Sequence, residues 1–227
     1  MTAPWQVRLE ATAFLKDQFP SPVLPEIAVA GRSNVGKSTL INKLLGVRLA
    51  HVAAAPGKTR SINFYAVTGS AAPFRLVDLP GYGYASRSKE ERNKWSALIE
   101  AYVTSRKNLS LVLHLADFRH GLLENDLALQ DWICHVGIPL LVVFTKGDKI
   151  SRGNHRGFLE KYIRSGLKSV DVPVITSGET GSGIDELKGF ISRWLTASGE
   201  QSGNGSAPGG TAHNLNATEE HHHVRRP

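Results

Sequence analysis

The sequence predicts an α/β fold: a six-stranded, mostly parallel sheet with helices on both faces. Three observations predict it. Short β-rich apolar runs alternate with longer runs whose apolar residues recur every three or four positions. The first short run ends in Gly31-Arg32-Ser33-Asn34-Val35-Gly36-Lys37-Ser38, a glycine-framed turn that leads into a helical run. The remaining motifs fall at the carboxyl ends of later strands, where open α/β sheets gather their ligands.

Each element carries a local signal. Glu26 to Ala30 is a short apolar strand ending at a glycine. Lys37 to Leu45 is predicted helical, because Leu40, Ile41, Leu44 and Leu45 share one stripe. Ser61 to Thr68 and Pro73 to Val77 read as two strands joined by the turn-prone Gly69-Ser70. A helix over Lys89 to Val103 aligns Trp95, Leu98, Ile99 and Tyr102 as packing residues. Leu109 to Ala116 is a nearly continuous apolar strand, and Asn125 to Val136 a helix with Cys134 expected in the core. Pro139 to Phe144 is a buried strand, followed by a helix near Phe158 to Leu167. A strand at Val172 to Thr176 and a helix at Ile184 to Leu195 complete the body.

Composition excludes several classes. At 41% hydrophobic and 21% charged residues, the 227-residue chain can fill a core without disulfides or a structural metal. Its one cysteine cannot form an internal disulfide, and no Cys/His spacing suits zinc. No run approaches the length of a membrane-spanning helix. Arg8, Glu10, Lys16 and Asp17 interrupt the N-terminal stretch, which argues against a secretory signal. The expectation is a cytoplasmic chain. From Gly199 onward the sequence is mostly Gly, Ser, Asn, Ala and His, so 199–227 is expected to be a disordered tail. Its three adjacent histidines, His221 to His223, lack a fixed geometry for a metal. The formal charge is +7, and the tail holds two arginines and three glutamates, leaving 25 basic against 17 acidic residues in the body. Such a balance favours polyanions such as RNA.

The turn after the first strand fits G-x-x-x-x-G-K-[ST], the P-loop pattern. Its glycines let backbone N–H groups surround phosphate oxygens, and the helix N-terminus adds a positive dipole end. Lys37 is placed to reach β- and γ-phosphates, Ser38 to coordinate Mg²⁺, and Thr39 to extend the binding turn. Asp78-Leu79-Pro80-Gly81 closes the third strand as D-x-x-G: Asp78 can hold Mg²⁺ through water, and the Gly81 N–H can meet the γ-phosphate. Between these motifs lies Gly57-Lys58-Thr59-Arg60-Ser61. Here Thr59 offers a second hydroxyl to Mg²⁺, ordering the loop while a γ-phosphate is present, and Gly57 permits the movement. Lys37, Thr59 and Gly81 are the expected catalytic residues; Ser38, Thr59 and Asp78 are the expected metal ligands.

Thr145-Lys146-Gly147-Asp148 follows the fifth strand. A carboxylate at Asp148 can accept from guanine N1–H and the 2-amino group together, donors that adenine lacks there. The Lys146 stem can lie along the base. Thr176-Ser177-Gly178, with Glu179, is expected to close over the base and aim backbone N–H groups at O6.

In this order, Gly31 to Ser38, Pro56-Gly-Lys-Thr59, Ile62-Asn-Phe-Tyr65, Asp78-Leu-Pro-Gly-Tyr-Gly-Tyr84 and Thr145 to Asp148 resemble the EngB/YihA family of bacterial ribosome-assembly GTP-binding proteins. Ser177 to Thr180 and Gly183 to Leu187 fit the same pattern. The resemblance covers roughly Gln6 to Leu195. It implies a P-loop NTPase with a Ras-like G domain over 25–198 and an N-terminal segment, 1–24, packing on it. It implies GTP and Mg²⁺ dependence, a role in maturing the large ribosomal subunit through ribosomal RNA, and a link to cell division and septation. A monomer without DNA or membrane partners is expected. Arg60 and Gly178 depart from the residues that family often has, Gln and Ser, and are read as tolerated.

Where Ras-like enzymes carry a water-orienting Gln, this chain has Tyr82, so slow intrinsic hydrolysis is expected. Asn34 resembles the P-loop Asn of relatives that use K⁺, which makes K⁺ stimulation an expectation as well. Two functions compete: a GTP-hydrolysing switch, or a nucleotide-sensing RNA-binding module with little hydrolysis. Candidate RNA contacts are Arg87, Lys89, Arg92, Lys94, Arg106 and Lys107, and a second group of Arg152, Arg156, Lys161, Arg164 and Lys168. The scattered histidines, His114 among them, are read as structural or exposed.

Overall fold

The computed structural model describes residues 4–49, 61–83 and 89–203, with backbone alone for 89–95 and 200–203. Seven strands form one sheet: β1 (Gln6–Ala13), β2 (Glu26–Gly31), β3 (Ile62–Thr68), β4 (Phe74–Asp78), β5 (Leu109–Asp117), β6 (Leu140–Thr145) and β7 (Val174–Ile175). Their spatial order is β1-β3-β4-β2-β5-β6-β7. The β1–β3 and β3–β4 pairs are antiparallel, and the others are parallel. The helices are α1 (Lys37–Leu45), α2 (Lys89–Ser105), α3 (Glu124–Val136), α4 (His155–Arg164) and α5 (Ile184–Gly203).

The period-two alternation of β2 divides the core. Ile27 and Val29 join the side chains of α1 and α5 on one face, while Ala28 and Ala30 join those of α2, α3 and α4 on the other. Leu98, Ile99 and Tyr102 of the α2 stripe are buried as expected, and the Trp95 side chain lies outside the described residues.

Several expectations are corrected. The sheet has seven strands where six were expected, the added one being β1 in the N-terminal segment. A register shift between Leu9 and Ala11 turns the strand over, so Leu9 is exposed while Ala13 is fully buried. That bulge breaks the alternation by which a strand is read. The helix α5 continues to Gly203, past the expected tail boundary at 199. Once a helix is nucleated and packed, each added residue gains a backbone bond, and the Ser198 hydroxyl also donates to Trp194 O at 2.8 Å. Residues 204–227 lie outside the described residues. Finally, Cys134 is exposed, because α3 buries Asp126, Gln130 and Ile133 instead.

A buried polar cluster ties β1 to the sheet. Glu26 is fully buried and pairs with Arg106; it also accepts from Tyr102 Oη at 3.0 Å. Arg75 makes a two-pronged contact with Glu10 of β1, at 2.8 and 3.0 Å. Arg106 is thereby removed from the expected RNA contacts: its charge is neutralised inside the protein.

No described helix is long and apolar enough to cross a membrane.

Candidate nucleotide-binding site

Four of the expected motifs converge at the carboxyl ends of β2, β4, β6 and β7. Gly57, Lys58, Thr59 and Arg60 lie outside the described residues; Ser61, buried, immediately precedes β3. The P-loop leaves β2 at Gly31, whose Cα lies so close to Leu115 and Val35 that a Cβ would meet them at 3.0 Å. At its other end Gly36 takes φ +104°, a conformation open to glycine, and α1 begins with Lys37. Lys37 and Ser38 therefore stand on the first turn of α1.

The Lys37 ammonium pairs with a carboxylate oxygen of Asp78 at the end of β4, and both side chains are almost fully buried. The next residue, Leu79, donates its N–H to Val29 O at 3.1 Å, which seats the D-L-P-G turn beside the P-loop strand. Gly81 lies against the P-loop itself: a Cβ on it would sit 3.2 Å from Ser33 N and Cα. Ser38 and Asp78 form a hard-oxygen donor set, a hydroxyl and a carboxylate, of the kind that suits Mg²⁺ alongside phosphate oxygens. The donor chemistry fits the ion. Thr59, the third expected ligand, lies outside the described residues.

The turn from Thr145 to Asp148 is bonded directly to the P-loop. The Thr145 hydroxyl donates to Val35 O at 2.6 Å, with Ala116 O 3.2 Å away. Lys146 Nζ donates to Asn34 O at 2.9 Å. Among the described residues, Asn34 (φ +64°) and Lys146 (φ +59°) are the two non-glycine residues with left-handed backbone, and this bond joins them. Such conformations cost energy and persist where neighbours impose them, often at functional sites. Gly147 is wedged beneath β7: its N–H donates to Thr176 O at 2.9 Å, and a Cβ would strike Ile175 at 2.6 Å.

Asp148 is oriented by two neighbours. Ser177 Oγ–H donates to Oδ1 at 2.6 Å, and Lys149 Nζ lies 3.0 Å from Oδ2. The Ser177 hydrogen bond and then Lys149 hold the carboxyl below its usual range. The amides expected at guanine O6 are narrowed by the turn. Ser177 N–H donates to Ser182 O, and the Glu179 and Thr180 amides donate to Ser177 Oγ, which leaves the Gly178 N–H for that role. A Cβ at Gly178 would meet Thr39 Cγ2 at 2.5 Å, so a serine there would require the Thr39 side chain to rotate.

Three further residues organise the site: Asp117 and Asp126, which sequence reasoning passed over, and His114, which was read as structural or exposed and is buried. Asp117, at the end of β5, receives Lys146 at 2.9 Å and a fork from Arg119 at 2.9 and 2.7 Å. Burial pushes its carboxyl up, but the hydrogen bonds from Arg119 and Lys146 outweigh that and hold it far below the usual carboxylate range. Asp126 and His114, both fully buried, surround the Tyr82 hydroxyl. Burial raises the Asp126 carboxyl, yet contacts from His114, Tyr82 and the Leu123 amide leave it lowered. An acidic residue closing an apolar strand was the available signal for Asp117; nothing local marked Asp126.

Both shifts predict acid sensitivity with a definite sign. A carboxyl whose folded pKa lies below its unfolded value of 3.8 contributes stability above that value and loses it as pH falls through the folded pKa. The melting temperature is expected to hold from pH 7 to 5 and to drop below about pH 4. In Asp126→Asn the acid limb should be shallower, and an unaltered limb would remove Asp126 from the account.

A family model described as 50S ribosome-binding GTPase matches residues 26–146. The "Probable GTP-binding protein EngB" of Syntrophomonas wolfei is 45% identical over 180 residues, covering 79% of this chain and 91% of the relative. A crystal structure of a probable GTP-binding protein engB aligns with a TM-score of 0.59 at 26% identity, covering 76% of this chain and 99% of that one. Era, solved with MgGDPNP and part of 16S ribosomal RNA, aligns with a TM-score of 0.61 at 25% identity over 75% of this chain. The alignment spans only 56% of the Era chain.

Proposed function

This chain belongs to the EngB family of GTP-binding proteins, and from that premise we propose that it is a slow, Mg²⁺-dependent GTPase switch that engages the large ribosomal subunit in its GTP form. GTP binding and GTP hydrolysis in general follow from the family; the partner, the rate and the individual residue roles are our reading. On it, assembly of the large subunit is the direct task, and cell division and septation depend on the ribosomes so produced. The protein would act as a cytoplasmic monomer.

The observation that best supports the reading is the bonding of the P-loop to the T-K-G-D turn through Thr145 and Lys146. A triphosphate cradle and a guanine reader are held in one unit, so phosphate and base are measured against a common frame. P-loop amides from Asn34 to Ser38, with Lys37, would hold the phosphates, and Ser38 and Asp78, with Thr59, would hold Mg²⁺. When bound, the metal supplies charge neutralisation at the β- and γ-phosphates. Gly81 N–H and Lys37 would supply the protein's share of that stabilisation. Arg152, Arg156, Lys161 and Arg164 are all exposed around α4, a surface suited to ribosomal RNA phosphates. Arg156 and Arg164 also flank Glu160, which weakens their field locally.

Tyr82 favours the second reading, a nucleotide-sensing RNA-binding module with little hydrolysis, because its hydroxyl is engaged inside the protein and no Gln stands in its place. Co-sedimentation with ribosomal subunits under GDP, GTP and a non-hydrolysable analogue separates the proposals from generic basic adhesion. Binding to the large subunit should depend on the γ-phosphate; equal binding in all three states would refute the switch. Single-turnover hydrolysis with large subunits should accelerate if hydrolysis is the timer. The same assay in potassium and sodium buffers tests Asn34, since equal turnover removes the K⁺ role.

A further inference from the structure

Tyr82 joins three parts of the fold. Its backbone stitches the D-L-P-G turn to the P-loop: the Tyr82 N–H donates to Gly31 O at 3.3 Å, and Ser33 N–H donates to Tyr82 O at 2.8 Å. Its side chain enters the space between β5 and α3, where Oη–H donates to Asp126 Oδ1 at 2.6 Å. His114 Nε2 lies 2.7 Å from the same Oη, and Gln130 Nε2 lies 3.2 Å from His114 Nδ1. The donors order themselves. Gln130 Oε1 accepts from Lys168 N–H at 3.1 Å, which places the Gln130 amide nitrogen at His114 Nδ1. His114 then carries its proton on Nε2 and donates to Tyr82 Oη, which in turn donates to Asp126. His114, Asp126 and Gln130 are fully buried, so this chain of bonds is shielded from water.

The same carboxylate faces the P-loop. Asp126 Oδ2 accepts from Leu123 N–H at 2.9 Å and lies 3.1 Å from Arg32 Nε, an ion pair whose N–H is not aligned as a hydrogen bond. Of these two connections, the Tyr82 leg is the aligned hydrogen bond. Its consequence would be steric. With Tyr82 drawn toward α3, Gly81 lies against Ser33, and on the proposed function a γ-phosphate held by P-loop amides on one side and by Gly81 N–H on the other would have to part them. A diphosphate makes no such demand.

We infer that Asp126 is a positioning residue that latches Tyr82, and with it the D-L-P-G turn, against the P-loop, so that the Tyr82–Asp126 bond sets the preference between guanosine di- and triphosphates. The inference rests on the proposed function, since it presupposes a γ-phosphate between Gly81 and the P-loop. A ligand whose competent conformation is only partly populated binds more weakly by that fraction, so loosening the latch selectively strengthens the triphosphate.

The test uses the full chain. Tyr82→Phe removes one hydroxyl and keeps the ring, and GDP and a non-hydrolysable GTP analogue are titrated separately with Mg²⁺. One hydrogen bond to a buried carboxylate is worth roughly a factor of ten in an equilibrium constant. Analogue affinity should therefore rise about tenfold while GDP affinity changes less than about twofold. Asp126→Leu, which cannot accept from the tyrosine hydroxyl, should move the same ratio in the same direction, and the double variant should add little to either single one, a coupling that a general loss of packing does not produce. If Tyr82→Phe is too unstable to titrate, Asp126→Leu decides. An unchanged analogue-to-GDP ratio with GDP binding intact overturns the latch and leaves the proposed function standing. Failure of the wild-type protein to bind GDP overturns both.

Discussion

Replacing Asp148 with asparagine is expected to lower GTP affinity by about a hundredfold or more and to shift preference toward xanthine nucleotides. The reason lies in how Asp148 is held. Ser177 donates its hydroxyl to Oδ1, so an asparagine would turn its amide oxygen toward Ser177 and present its NH₂ at the position of Oδ2. Guanine brings two donors, N1–H and the 2-amino group, to a carboxylate that accepts both. An NH₂ there faces a donor and leaves buried polar groups unmatched, whereas the 2-oxo group of xanthine accepts from it. Lys149 beside Oδ2 is half exposed and can swing away. Competition between GTP and XTP for the purified variant measures the change. GTP binding equal to that of the wild type would end the assignment of Asp148 as the guanine reader.

The second large effect is expected at Lys37, where binding and folding can be separated. Lys37→Ala removes the cation proposed to face the phosphates and should reduce nucleotide affinity by about a hundredfold or more. It also leaves Asp78 as a buried charge without its partner, which destabilises a fold by roughly 3–5 kcal/mol. A paired replacement, Lys37→Met with Asp78→Leu, removes the unpaired charge. Apolar substitutes for a buried ion pair are often neutral or stabilising, so the double variant should recover the melting temperature without recovering nucleotide. Chemical denaturation and a fluorescent GDP titration on the same samples read the two quantities. Nucleotide affinity preserved in Lys37→Ala would contradict the phosphate role, and stability lost equally in the double variant would contradict the charge argument.

The structural neighbourhood of Tyr82 changes how its departure from Gln is understood. From the sequence, Tyr82 is a missing water-orienting amide. In the fold it is an anchored residue whose hydroxyl satisfies buried partners on β5 and α3. On the readings proposed above, slow hydrolysis and control of the D-L-P-G turn would be two consequences of one side chain.

Most of the architecture was legible along the chain because its signals are local. The helix α1 matches its expected limits, Lys37 to Leu45, since the P-loop glycines and the 3.6-residue stripe act within a few residues of one another. The strands bearing the motifs were read from apolar runs that end in turn residues, and their parallel pairing brings the carboxyl ends to one end of the sheet. By contrast, β1 was hidden by its bulge, which reverses the inward face partway along eight residues. Arg106 read as a surface cation because nothing near it in sequence announces Glu26, eighty positions away. Cys134 shows the same limit on α3, where the buried side is chosen by β5 and Tyr82 and includes an aspartate and a glutamine.

By itself, then, the sequence determined the strand–helix alternation and named the candidate phosphate cradle, metal ligands and acidic base reader, because each depends on residue types at fixed short spacing. Only the tertiary structure decided which charges are neutralised inside, how Lys146 and Asp148 are held, and that one α3 carboxylate faces both Arg32 and Tyr82. Those outcomes depend on side chains from distant elements meeting in a low-dielectric interior, where an unpaired charge is costly and a paired one becomes a constraint.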